Sequence, residues 1–175
     1  MSNPYTGSVA SALRKGQLLL EVVSGGARAD APPLAETALL EGALLHLWRA
    51  YRAFLGEQAH QLGLGAEPES ARALKKLAEA RQKTSAEIDE LVGLEENPDS
   101  WLYGMAWAWK GLWRLSAQNP LADVGKAGGA AAASLIPLAQ LDEPRVDTLG
   151  AQKLTFWCRS LSELIARQRA QGQEW

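Results

Sequence analysis

Tyr103, Trp107, Lys110 and Arg114 stand at i, i+4, i+7 and i+11, a spacing that lines two aromatic rings and two cations along one side of a helix. Such a line suits cation–π contact, stacking on a base, or an interface with another protein or a second copy of the chain. The surrounding segment carries four of the seven tryptophans, at 101, 107, 109 and 113. Helical spacing groups Trp101, Met105, Trp109, Leu112 and Trp113 on the apolar side, so Trp107 is the ring expected to point outward. The competing expectation is that another helix, or a loop of the same chain, covers it.

The remaining reactive residues form no complete catalytic or metal-binding pattern. Glu57-x-x-His60 supplies half of the Glu-x-x-His pairing used by di-iron helical bundles, but the other histidine, His46, has Ala43 three positions before it. The two histidines are separated by roughly 20 Å of helix, too far to share an ion. No metal site and no cofactor is expected. Cys158 is the only cysteine, which excludes an intrachain disulfide and a thiolate zinc site, and it reads as a small buried hydrophobe. Gly125-Lys126-Ala127-Gly128-Gly129 lacks the spacing of a phosphate-binding loop, and neither a nucleophile elbow nor a dinucleotide fingerprint is present. The carboxylates Glu87, Asp89, Glu90, Glu95 and Glu96 read as a solvated acidic surface.

These residues need helices to position them, and five helical segments follow from a 3.6-residue apolar period, with no convincing strand alternation. The first spans about 7–23 and stops at Gly25-Gly26. The second, about 34–62, places Leu40, Leu44, Leu47, Tyr51, Phe54, Leu55 and Leu62 on one face, with Glu41, Arg49, Arg52 and His60 opposite. A third covers about 68–92. Within it Thr84 and Glu87 match a capping box, so a break near Lys83 is expected, which would free Arg81 from the inner stripe to reach water. Asn97-Pro98-Asp99-Ser100 turns the chain into the tryptophan helix, expected to reach Ala117. Gly104, Ala108 and Gly111 give that helix a flat strip for close packing.

The pattern lapses over 118–147, where prolines, glycines and the run Gly128 to Ala133 make a connection longer than most ordered loops. The last helix, about 148–171, buries Leu154, Trp157, Cys158, Leu161 and Ile165 and leaves Phe156 outside. The fold expected is all-α: an antiparallel up-down bundle of four to five helices in one domain, residues 1–175, with the long connection before the last helix.

Composition narrows the function. With 47% hydrophobic and 22% charged residues the chain has the makings of a globular core. A net charge of −2 gives no general attraction to nucleic acid. No run approaches the ~20 apolar residues of a membrane span, and no export signal is read, so a cytoplasmic location is expected.

Asn3-Pro4-Tyr5-Thr6 before the first helix, in an all-helical chain of this length, resembles short proteobacterial proteins of unknown function. The resemblance implies no active site to transfer. Bundle domains of the HEPN type are similar in architecture, but Glu41 and Leu55 occupy the positions where their Arg-x4-His signature needs an arginine before His46 and His60.

The function expected is therefore non-enzymatic. The chain would act through protein–protein contact or self-association at Tyr103, Trp107, Lys110 and Arg114. The alternative is a small apolar ligand held among Trp101, Met105, Trp109 and Trp113, with 118–147 as its lid.

Overall fold

A computed structural model describes residues 3–25, 32, 34–113 and 149–172. Among them it shows six helices and no strand: α1 Thr6–Ser24, α2 Ala35–Gln61, α3 Ala71–Ala80, α4 Ala86–Glu96, α5 Trp101–Leu112 and α6 Ala151–Gln171. Residues 118–147, and Arg114 with them, lie outside the described residues.

α2 is the central element because its apolar residues spread around most of its circumference. Leu40, Leu44, Leu47, Tyr51, Phe54 and Leu55 are buried, as are Ala43, Trp48, Ala50 and Ala59 between them. Helices α1, α3, α5 and α6 all pack on it. α1 lies antiparallel along α2, with Tyr5 against Gly56, Gly16 against Ala43 and Leu47, and Leu19 against Gly42. A Cβ at position 56 would stand 2.8 Å from the Tyr5 ring, so glycine there lets the ring lie on the helix backbone. α6 runs antiparallel to α1 and parallel to α2: Gln17 stands by the Cys158 thiol, and Arg169 reaches Glu57 near the far end of α2. Gly63 and Gly65, with φ of +61° and +69°, turn the chain out of α2 in a backbone region that side-chain-bearing residues rarely adopt.

The expected third segment is two helices, which raises the count from four or five to six. α3 closes at Arg81, Gln82 adopts φ +54°, and α4 opens at Ser85. The cap is Ser85 rather than Thr84. Its hydroxyl accepts from the Ile88 N–H at 3.3 Å and donates to the Glu87 carboxylate at 2.6 Å. Arg81, released by the break, is exposed.

The acidic run of α4 is not simply solvated, which corrects the expectation from the sequence. Glu95 accepts from the Tyr51 hydroxyl with one oxygen and from the Ala71 N–H with the other, each at 3.0 Å. Asp89 pairs with Lys75, Glu96 with Arg72, and Glu90 with Arg167 and Gln168. A carboxylate on successive faces of one short helix thus ties it to α2, α3 and α6, a use that only the packing of those helices makes available.

Candidate functional site

α5 carries the residues singled out by the sequence. Ser100 caps it through its hydroxyl, which accepts from the Tyr103 N–H at 3.0 Å, and Asn97 folds the preceding turn by accepting from the Asp99 N–H. The helix is described to Leu112, with Trp113 at its C-cap, and the rest of its expected extent, 114–117, lies outside the described residues. Its buried line is Leu102, Met105 and Ala108, with Trp101, Trp109 and Leu112 half-buried beside them.

Trp113 departs from expectation, since 65% of its surface is exposed. At 3.6 residues per turn it lies about 80° from the middle of the buried line, and it stands at the C-cap, past the last full turn. The picture of three indoles pointing in and one out therefore gives way to another: Trp101, Trp107 and Trp109 are half-buried and Trp113 is exposed. Gly104 meets Trp157 of α6, where a Cβ would stand only 3.3 Å from the indole, so at this point of the strip a small residue lets α5 and α6 pack closely.

Tyr103 and Trp107 lie on the opposite side of α5 with their rings nearly parallel, 4° apart in plane and 6.4 Å between centroids. They are half-buried because the start of α3 and the end of α4 stand beside them. Together with Lys110 they line a groove of about 270 Å³ whose other walls include Arg72, Glu96 and Trp48. Of the four stripe residues, the structure thus brings Tyr103, Trp107 and Lys110 to one groove; Arg114 is not described.

The expected ligand set is dispersed. Met105 is fully buried and Trp113 is at the surface, while Trp101 and Trp109 are half-buried. Trp109 instead joins a second, larger groove that the sequence spacing does not assemble. This groove, about 560 Å³, runs between α1 and α2 and is walled by Ser8, Ser11 and Lys15 from α1, by His46, Arg49 and Arg52 from α2, and by the indoles of Trp48 and Trp109. The two indoles stack at 5.7 Å and 16°. Burial and the nearby charges of Lys15 and Arg49 hold the His46 imidazole below its ordinary pKa. His46 Nδ1 and Arg52 Nε are buried and have no hydrogen-bond partner among the described residues.

The signal for this groove is present in the sequence as two separate stripes: Ser8, Ser11 and Lys15 at i, i+3, i+7, and His46, Arg49 and Arg52 at i, i+3, i+6. Nothing local says that antiparallel packing sets one beside the other.

His60 is exposed and meets the Tyr5 ring edge-on at 6.4 Å, while its half-motif companion Glu57 is engaged by Arg169. Among the described residues no group of three or more histidine, cysteine or acidic side chains is arranged to hold a metal. Cys158 is buried, and burial raises its thiol pKa. Phe156 is 47% exposed under the Arg159 guanidinium.

No described helix is long and apolar enough to cross a membrane. The chain belongs to the family of unknown function DUF6586, whose family model matches residues 7–175. No curated protein and no solved structure matches the chain.

Proposed function

We propose that this protein acts by binding another polypeptide, a partner or a second copy of itself, on the outer side of α5, and that it is not an enzyme. In this reading Tyr103, Trp107 and Lys110 supply the contact, and Arg114, outside the described residues, joins them by the sequence spacing alone. The observation that supports it is the parallel pair Tyr103–Trp107, half-buried along a groove that also carries Lys110, Arg72 and Glu96. Rigid aromatic rings flanked by charges of both signs have the composition of an interface centre with its polar rim. Two half-exposed rings also lose little side-chain entropy on docking, because each has only two rotatable bonds.

The fold would be an up-down bundle in which α5 presents this side outward. Light scattering and pull-down from host extract test the reading with Trp107→Ala and Tyr103→Ala. Association should be abolished or weakened at least tenfold, while helicity stays unchanged. Undiminished association in both variants would remove α5 from the contact.

A further inference from the structure

The groove between α1 and α2 differs from the α5 groove in charge and in volume. Seven residues separate Ser8 from Lys15, so its α1 wall is roughly 10 Å long. The opposite wall presents His46, Arg49 and Arg52 over a similar length. Among the described residues none of Lys15, Arg49 and Arg52 forms an ion pair, and no carboxylate is among the residues that wall the groove.

These three cations stand together on a chain whose net charge is −2, and six of the other described cations are paired. Arg14, Arg72, Lys75, Arg159, Arg167 and Arg169 each face a carboxylate. Three like charges left together beside an imidazole repel one another. The same arrangement gives a strong local attraction for an anion. Two polar atoms of groove residues, His46 Nδ1 and Arg52 Nε, are also buried without a partner among the described residues, and such orphaned groups call for an explanation.

Part of the groove's lining is of a different kind. Trp48 and Trp109 stack against each other, and Trp113 stands edge-on to Trp109 at 5.4 Å. Charged donors and the Trp48 and Trp109 rings therefore line the same groove. Inorganic phosphate alone would leave those rings bare, and an uncharged aromatic would leave the cations unpaired. A volume of about 560 Å³ falls in the range of small-molecule sites.

We propose that this groove binds a small organic anion carrying a flat aromatic body, of the class of a nucleoside monophosphate or an aryl phosphate. Lys15, Arg49 and Arg52 take the anionic group, with Ser8 and Ser11 as hydroxyl donors. The aromatic body lies against Trp109 and the edge of Trp48. Arginine suits this task because its planar fork can offer two parallel N–H donors to one phosphate.

The site is separate from the α5 contact. Trp48 lines both grooves, but Tyr103, Trp107 and Lys110 belong to one and Lys15, His46 and Arg49 to the other.

The test titrates the full chain with AMP, with 1-naphthyl phosphate, and with adenosine and inorganic phosphate as the two half-ligands. Indole N–H signals are followed by NMR and affinities by calorimetry. At least one of the two aromatic phosphates should shift the Trp48 and Trp109 signals and bind at least tenfold more tightly than either half-ligand. Lys15→Met with Arg49→Gln, both at exposed positions, should weaken it about a hundredfold while leaving the circular dichroism spectrum unchanged. Lys76→Met, on exposed α3, should leave it as it was. The proposal fails if neither aromatic phosphate moves those two indoles at millimolar concentration, or if the double variant binds as tightly as the parent chain.

Discussion

The Glu57 carboxylate and the Arg169 guanidinium meet fork to fork, at 2.8 and 2.7 Å, across 112 residues of sequence. Glu57 is almost fully buried, with 3% of its side chain exposed, whereas Arg169 keeps 29%. The pair fastens the end of α6 to the end of α2, and Asn3 adds the start of the chain by donating to the Glu57 carbonyl at 3.0 Å. Three segments that are remote in sequence therefore close on one residue.

Removing the two partners should not cost the same. Arg169→Ala strands a buried carboxylate and should destabilise the fold by about 3–5 kcal/mol. Glu57→Gln leaves a guanidinium that can turn toward water, so its cost should be smaller. Urea denaturation of the two single variants and the double variant checks this; equal losses would mean that Glu57 is hydrated in the native state.

The N-cap of α4 separates two neighbouring hydroxyl residues. Ser85→Ala should lower stability by about 1 kcal/mol, the ordinary cost of losing a side-chain cap. Thr84→Ala, at an exposed position without a capping bond, should change it by only a few tenths. A thermal denaturation series decides between them, and a larger loss at Thr84 would restore the capping box that the sequence spacing suggested.

Trp107→Ala should leave the thermal midpoint nearly in place while removing association. The Tyr103–Trp107 stack is worth about 0.5–1.5 kcal/mol as an aromatic pair, and the ring is only half-buried. A drop well beyond that range in calorimetry would show that the ring belongs to the core.

Acid should weaken the fold through His46. Its folded-state pKa is depressed, first by burial and then by Lys15 and Arg49, and Arg52 is a further cation of the same groove. The unfolded chain therefore takes up the proton more readily, and stability falls as pH drops below the ordinary imidazole value toward the depressed one. Above that window both states are neutral and the contribution is flat. His46→Gln should reduce the slope of stability against pH between about 5 and 7, which denaturant midpoints across that range can measure. An aromatic phosphate in the groove should oppose the effect by favouring the imidazolium.

Much of the helical layout is legible because apolar period and caps are local signals. Leu40 through Leu55 mark α2, Leu154 through Ile165 mark α6, and the break between α3 and α4 announces itself through a Thr-Ser pair before an acidic turn. Asn3-Pro4-Tyr5 is conspicuous in the sequence, but its role is visible only in the fold. Asn3 ties to Glu57, and Tyr5 rests on Gly56 with its hydroxyl donating to Glu67 at 2.8 Å.

The burial of α5 is less legible. A helical projection separates Tyr103 and Trp107 from Trp101, Trp109 and Trp113, but how far each ring is covered depends on neighbours that a projection lacks. Trp113 is exposed at the C-cap of α5, and Trp107 is half-covered because the start of α3 and the end of α4 stand there.

Spacing within single helices is thus enough to establish that the chain is helical, that Leu40 to Leu55 and Leu154 to Ile165 enter the core, and that an aromatic–cationic line runs along α5. It is not enough to pair Glu57 with Arg169 rather than with His60, or to join the polar stripes of α1 and α2 into one cationic groove. Charge pairing and cavity shape arise between helices, where the distance between two residues is set by packing and not by their separation along the chain.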